Sequence, residues 1–588
     1  MAHLLSRRDL DFLLYEWLDI TSLTQRERFA AHSRETFDGV LDLSADLAAK
    51  LFAPHNKAAD RHPPHIGDDG RVVLLDEVKT ALDAYAEADL IAAPFPAELG
   101  GLDLPTTISR ASMAWFQAAN PGTSSYALLT TANANLLAAH GSPEQIDTWV
   151  RPMLRGEYSG TMCLSEPQAG SSLADITTKA VPAGDGTYRI TGTKMWISAG
   201  EHELTDNIVH LVLAKAPGGG PGVKGISLFI VPKILSDGTR NDVELVGLNH
   251  KMGNRGTTNT LLNFGDDGGA VGYLVGEEHR GLSYMFHMMN EARIGVGFLA
   301  IAIGYAGYLA SVDYAKVRTQ GRPVTAKGGD TPPVPIIEHP DVKRMLLTQK
   351  SYVEGALALG LYCSRLVDVE STSTGPEHDD AHLLLEVLTP IAKAWPSQWC
   401  TEANNLAIQV HGGYGYTTEF DVEQCYRDNR LNPIHEGTNG IQGLDLLGRK
   451  VVMNGGAGLA LLASTITATV DRAAGTGGEP EEFAAALRGC VDDLVATTAT
   501  LWADADPTVA LTNSSVYLQA AGHIVIAWMW LEQLLAVGGS TGDFYDGKRA
   551  AARYFFRFEL PSTGPQLALL AARDQTTAQT DPAWFTTS

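Results

Sequence analysis

The sequence predicts a mostly α-helical protein built around a central β domain, with an extra helical domain at the C-terminal end. Three observations carry this. Apolar residues recur at helical spacing from Leu4 to about Glu157. From about Tyr158 to Tyr273 short β-branched runs separated by Gly, Asp and Asn take over. After Glu277 the helical period returns and persists to the end. The expected boundaries are 1–157 for an N-terminal helical domain, 158–277 for the β domain, 278–450 for a helical bundle and 451–588 for the appended helices.

The opening MAHLLSRRDLDFLLYEWLDI breaks its apolar positions with Asp, Glu and Arg, which predicts an amphipathic helix and neither a signal peptide nor a membrane span. Pro54, Pro63-Pro64, Pro94–Gly101 and Asn120–Gly122 punctuate the helices that follow. YRITGTKMWIS, HLVLA, GISLFIV and NTLLNF read as strands of the β domain. Helical pattern then covers 293–317, 341–367 and 382–410, with Pro390 and Pro396 expected to kink or split the last of these. The proline- and glycine-rich segment 321–340 reads as a loop. In the appended domain the longest apolar run, Ile524–Val537, is interrupted by Glu532 and Gln533 and falls short of the roughly 20 residues of a bilayer span, so a buried helix is expected.

Charge and cysteine content narrow the function. The 588 residues carry 44 Lys and Arg against 68 Asp and Glu, a net charge of −24. Such an excess repels phosphate backbones and anionic lipid, so nucleic acid is not an expected partner and any anionic ligand must be held by local donors. The five cysteines (Cys163, Cys363, Cys400, Cys425, Cys490) are scattered and form no C-x-x-C pair, which predicts neither a disulfide framework nor a zinc site, and fits a reducing, cytoplasmic setting. Two nucleotide-like motifs fail on context. Gly220-Pro-Gly222-Val-Lys-Gly225 leads into a strand, so no helix N-terminus would face a pyrophosphate, and GDFYDGKR at 542–549 places two carboxylates inside a would-be phosphate loop.

Four segments join polar residues to glycine-rich backbone. CLSEPQAGSSLAD (163–175) offers the hydroxyls of Ser165 and Ser171. GTKMWISAG (192–200) ends a β-run with Trp196, which taken alone reads as core, and Ser198. IQVHGGYGYTTEF (408–420) contains Gln409, Gly412 and Gly413, where backbone can approach a ligand closely. NPIHEGTNGIQGLDLLGRK (432–450) sets Glu436 before Gly437 and a helix start at Thr438 or Asn439, where Asn439 and Gln442 have capping-box spacing.

In this order and spacing the four segments resemble the acyl-CoA dehydrogenase family. The resemblance spans about 75–450 and includes PAELGGLDLP at 96–105, GSPEQ at 141–145, KMGNRGTTNT at 251–260 and NEARIGVG at 290–297. RDLDFLLYEWLDI at 8–20, PVPIIEHPDVKRML at 333–346 and DFYDGKRAAARYFFRFELP at 543–561 are similar to the longer branch with an extra C-terminal helical domain, which contains 3-methylmercaptopropionyl-CoA dehydrogenases and some long-chain enzymes. The resemblance implies an N-terminal helical domain, a middle β-barrel-like domain and a C-terminal helical bundle plus the appendage. It also implies FAD as cofactor and α,β-dehydrogenation of an acyl-CoA to the trans-2-enoyl-CoA, as in β-oxidation.

By the same resemblance Glu436 is the base that takes the α-proton while flavin N5 receives the β-hydride, and the backbone N–H of Glu436 stabilises the thioester oxygen. Ser165, Trp196 and Ser198 match flavin-ring positions. Arg318 matches the pyrophosphate arginine, and Gln409, Gly412, Gly413 and Thr438 match adenosine- and phosphate-side contacts supplied by a neighbouring subunit. Ser171, Arg293 and Gly437 fall on the substrate side, although Arg293 also reads as an ion-pair partner of Glu291. The pattern departs at Ser172, where Asp is usual, and at RTQGR, which is one residue short. One branch takes its base from the position before the 290–293 arginine, and here that position is Ala292. Implied partners are an electron-transfer flavoprotein and a second copy of the chain in a homodimer. The alternatives are an acyl-CoA oxidase, and a DNA-associated branch whose C-terminal domain is expected to be basic, whereas residues 451–588 hold 7 Lys and Arg against 14 Asp and Glu.

Overall fold

The computed structural model describes residues 4–325 and 331–586; residues 326–330, inside the predicted loop 321–340, lie outside the described residues. Packing divides the chain into two compact units, one formed by residues 1–4 and 24–295 and the other by 5–23 and 296–588. Residues 4–20 are helical in part, and 5–23 belong to the second unit.

In the first unit, helices α1 (Arg34–Leu47), α2 (Asp76–Glu87), α3 (Thr106–Ala119) and α4 (Pro121–His140) precede a sheet. Local sequence sets their ends. Ser33 and Thr36 form a capping box on α1. Asn120 both ends α3 and caps α4, its side chain accepting from the Thr123 N–H at 3.0 Å with Pro121 at the first helical position. In GSPEQ, Ser142 and Gln145 form a second reciprocal capping box.

Eight strands follow: β1 (Tyr158–Cys163), β2 (Lys179–Pro182), β3 (Tyr188–Ser198), β4 (Asn207–Lys215), β5 (Ile226–Pro232), β6 (Val243–Leu248), β7 (Asn259–Phe264) and β8 (Ala270–Leu274). Their order is β8-β5-β4-β2-β3-β7-β6, with β1 pairing in parallel with β4. Strand β8 pairs with both β5 and β3, which folds the sheet back on itself around Ile190, Val212, Phe229, Val231, Leu262 and Phe264. The glycine triplet at 220–225 is a turn that leads into β5.

Helix α5 (Gly281–Val317) begins in the first unit and continues into the second, where α6 (Pro340–Glu370), α7 (Pro376–His411) and α8 (Asn439–Asp445) follow. Pro390 and Pro396 do not split α7, which is one continuous 36-residue helix with both prolines inside it. The carbonyl that Pro396 cannot bond, Ala392 O, lies against Gly297, where a Cβ would come within 2.2 Å, so the second unit's packing covers the gap in the hydrogen-bond ladder. The appendage adds α9 (Met453–Ala473), α10 (Gly478–Leu501), α11 (Ser514–Val537) and α12 (Asp543–Tyr554).

The apolar run of α11 is longer than the sequence reading allowed. By length and composition α11, α9 and the 291–317 part of α5 are each long and apolar enough to cross a bilayer. In α11 and α5, however, 83% of that apolar window is buried within the protein, and Trp528 and Trp530 are among the largest fully buried side chains. Glu532 does not end the run because it meets Trp17 and Thr469, and Gln533 accepts from Lys548 at 2.9 Å.

Candidate active site

The first unit presents a strained aromatic platform. Strand β3 carries a bulge against β7 between Met195 and Ile197, and the inserted residue, Trp196, has φ +66°. A bulge places two residues against one and re-aims the side chain. Trp196 is accordingly 58% exposed, so the reading of this tryptophan as core is wrong for a reason the strand alone does not reveal. A large, exposed aromatic held at positive φ is a surface suited to a ligand, because neither the strain nor the exposure favours the isolated fold. Ser198 sits at the end of the same strand, where its Oγ accepts from Asn259 Nδ2 at 3.2 Å.

Ser165 is brought beside this platform through its carbonyl, which accepts from the Met195 N–H at 3.0 Å. What fixes that loop is Glu166, which the sequence reading quoted but did not single out. Glu166 and Ala169 pair backbone to backbone around Pro167-Gln168. The carboxylate is buried and accepts from the N–H and hydroxyl groups of Thr177 and Thr178, and from Lys194 Nζ at 3.0 Å. Burial alone would raise its pKa, but Lys194 and these hydrogen bonds hold it down at about 2. The signal was available, since Lys194 shares strand parity with buried Ile190 and a lysine at an inward position needs a buried partner. Ser171, by contrast, is exposed in the loop.

A folded pKa below the ordinary value of about 4.3 means that Glu166 contributes stability above that pH, lost as pH falls toward 2. Glu166→Gln leaves Lys194 buried without its countercharge. Its melting temperature is expected to lie below wild type at pH 7, with the gap narrowing between about pH 4 and 2. A pH-independent gap would contradict this account.

Arg293 on α5 is buried, with 3% exposure. The carboxylate of Glu291, its competing partner in the sequence reading, lies 3.8 Å from Arg110 and accepts from Asn135. Glu291 is therefore anchored to α3 and α4 through Arg110 and Asn135, an arrangement that suits a structural carboxylate better than a proton acceptor.

The second unit carries Glu436 on a turn between Asn432 and α8. Glu436 has φ +51° and Gly437 φ +84°, two consecutive left-handed residues. Thr438, not Asn439, caps α8, its hydroxyl accepting from the Ile441 N–H at 3.2 Å. Gln442 instead turns back and donates to the carbonyls of Glu436 and Gly437 at 3.2 and 3.3 Å. Lys393 from α7, fully buried, donates to the carbonyls of Asn432 and Gly437, each at 2.7 Å. Neighbouring His435 faces Asn432 Oδ1 at 3.0 Å; desolvation, with the charge of Lys393, pushes its pKa down to about 3, so it is neutral.

The remaining predicted residues lie at the far end of α7. Gln409, Gly412 and Gly413 are exposed, and no atom stands within 4 Å of where a Cβ of either glycine would sit. The Arg318 guanidinium lies 5.6 Å from the centre of the exposed Tyr414 ring. Open glycine backbone, an exposed cation and an aromatic face together suit a phosphate-bearing nucleotide. Gln409 is 16 residues beyond Lys393 on one helix, roughly 24 Å along the axis at about 1.5 Å per residue.

Comparison with known proteins bears on the family and the fold. Residues 41–157, 161–266 and 279–451 match the N-terminal, middle and C-terminal domains of acyl-CoA dehydrogenase, and 462–581 match the family described as acetyl-CoA dehydrogenase C-terminal like. The chain is 36% identical to 3-methylmercaptopropionyl-CoA dehydrogenase of Ruegeria pomeroyi, over 93% of this chain and 94% of that protein. It is 34% identical to the broad-specificity linear acyl-CoA dehydrogenase FadE5 of Mycobacterium tuberculosis over the full length of both. Among solved structures, acyl-CoA dehydrogenase of Bacillus anthracis complexed with FAD shares the fold, with a TM-score of 0.73 at 20% identity, covering 97% of this chain and 95% of that one.

Proposed function

We propose, from the premise that this chain belongs to the acyl-CoA dehydrogenase family, that Glu436 is the base of its flavin-dependent dehydrogenation of an acyl-CoA thioester. The observation that carries this is the strained Glu436 turn, pinned by buried donors at a position matching the family's base. A carboxylate held at positive φ by surrounding hydrogen bonds is oriented before substrate arrives, which suits removal of a proton in a defined direction.

FAD, when bound, supplies the acceptor for the β-hydride at its N5. Trp196, with Ser165 and Ser198, fits the flat face and polar edge of its ring. Arg318, Gln409, Gly412, Gly413 and Thr438 fit its pyrophosphate and adenosine. On the substrate, Glu436 takes the α-proton and its backbone N–H donates to the thioester oxygen, where charge develops. Ser171, Arg293 and Gly437 are the chain's contacts to the CoA ester. Burying the acyl chain excludes water from around the carboxylate and favours proton uptake by it.

A homodimer, in which a second copy supplies the Gln409, Gly412, Gly413 and Thr438 contacts, is proposed from the family resemblance. An electron-transfer flavoprotein as acceptor and a cytoplasmic setting complete the proposal. The test is a panel of acyl-CoA thioesters of different chain length, thioether acyl groups included, mixed with the flavin-loaded protein. Flavin reduction without peroxide release, and turnover only with the flavoprotein acceptor, is expected. Peroxide formed at the same rate without that acceptor would make the protein an oxidase, and full flavin loading of a monomer would remove the dimer.

A further inference from the structure

We infer that Lys393 is a positioning residue for Glu436: its buried ammonium bridges the carbonyls of Asn432 and Gly437, the two ends of the turn on which Glu436 is held at φ +51°. The inference rests on the assignment of Glu436 as the base and extends it to the element that aims it. Lys393 is 0% exposed, and its placement follows from α7, whose own carbonyl at this residue accepts from Ser397 Oγ at 2.6 Å. Charge-assisted bonds are about twice as strong as neutral ones, so one ammonium clamping two carbonyls holds the turn more firmly than an amide could. A non-glycine residue at positive φ is strained and persists only where its surroundings over-determine it.

The other side of the turn is held separately. Asn404 donates to the Ile303 carbonyl at 3.1 Å. Asn429 donates to Asn404 Oδ1 at 2.7 Å and to the Ala300 carbonyl at 3.1 Å, and Asn432 donates to Asn429 Oδ1 at 2.8 Å. This buried chain runs from the backbone of α5 and leaves Asn432 Oδ1 as an acceptor, so neutral His435 donates to it from Nε2. The asparagines therefore fix the turn through side chains up to His435. The main-chain carbonyl beyond Glu436 is left to Lys393 and Gln442. Without the ammonium the Gly437 carbonyl keeps only the neutral 3.3 Å bond from Gln442, which holds it less firmly, and a displacement of about 1 Å at a reacting group costs on the order of 100-fold in rate.

The step that Glu436 performs can be isolated. A 3-thia acyl-CoA, with sulfur in place of the β-carbon, can lose its α-proton but has no β-hydride to give. Washout of that proton into D2O, read by mass spectrometry, reports proton transfer without flavin reduction. In the flavin-loaded enzyme, Lys393→Met is expected to slow washout about 100-fold while flavin content and the analogue's dissociation constant stay within about threefold of wild type. Lys393→Arg, which keeps charged donors, should recover at least about tenfold of the loss. Where Lys393→Met is insoluble, Lys393→Gln replaces it, with washout between that of wild type and the expected Met value.

Washout at the wild-type rate, a fall matched by an equal loss of analogue binding, or failure of both Met and Gln variants to fold would each overturn the positioning role. A wild-type enzyme that exchanges no α-proton, or a Glu436→Gln enzyme that still does, overturns the assignment of Glu436 instead.

Discussion

Glu436→Gln is expected to retain FAD and to lose reduction of the bound flavin by acyl-CoA by at least about 10³-fold. A positioned general base contributes roughly 10²–10⁴-fold. Glu291, the other acid near the family's alternative base position, is committed to Arg110 and Asn135. The amide is close in shape to the carboxylate, and the turn is held by Lys393, Gln442 and Thr438 through main-chain atoms and the helix cap, so the backbone at 436 should be preserved. The loss should therefore fall on the chemical step and not on flavin or substrate binding, and anaerobic stopped-flow absorbance separates the two.

The largest expected loss of stability lies in a buried charge cluster of the second unit. Lys548, the lysine of the rejected phosphate-loop motif, is 0% exposed, pairs with Asp9 and Glu354 and donates to Gln533. Lys350 also pairs with Glu354, and Tyr305 donates to Asp9 Oδ2 at 3.0 Å. Two acids and two lysines balance, and Asp9 ties the short helix Arg7–Asp11 to α12. Burial and the nearby Glu354 carboxylate push the Asp9 pKa up even with Lys548 opposing them. Burial likewise works against ionised Glu354, yet Lys350 and Lys548 hold its pKa below the usual range.

Lys548→Met strands a carboxylate in this cluster and is expected to cost about 3–5 kcal/mol of unfolding free energy, measured by chemical denaturation. Asp9, already raised by burial and Glu354, loses in the variant the lysine that opposes that rise, which disfavours folding at neutral pH and is relieved as pH falls through the carboxylate range. The deficit should thus shrink on acidification, and Asp9→Asn with Lys548→Met should recover much of it at pH 7. An unchanged denaturation midpoint in Lys548→Met would contradict the cluster's role.

Much of this arrangement is readable in the chain because local chemistry and tertiary structure agree there. YRITGTKMWIS, HLVLA and NTLLNF lie in strands as read, and Ile190, Val212 and Phe264 from them fill the sheet interior as strand patterning requires. The failures have identifiable causes. Trp196 depends on a bulge, which exists only relative to β7 and leaves no trace in β3 alone. Pro390 and Pro396 read as helix breakers, but the packed second unit tolerates the missing bonds. Asn439 and Gln442 have capping-box spacing, yet Thr438 caps because the left-handed pair at 436–437 sets the helix start one residue earlier. Lys393 carried no signal, since a lysine in a helical run reads as a solvated side chain until the segment around Asn432 is folded onto it.

The central claim is that proton removal by Glu436 is part of the step that reduces the flavin. It is tested most directly by anaerobic single-turnover reduction with substrate deuterated at the α-carbon, compared with unlabelled substrate and with substrate deuterated at the β-carbon. Slower flavin reduction from deuterium at either carbon, with the α-effect absent from the residual rate of Glu436→Gln, is the predicted result. Flavin reduction that is slowed only by β-deuterium, or an α-effect that survives unchanged in Glu436→Gln, would contradict it.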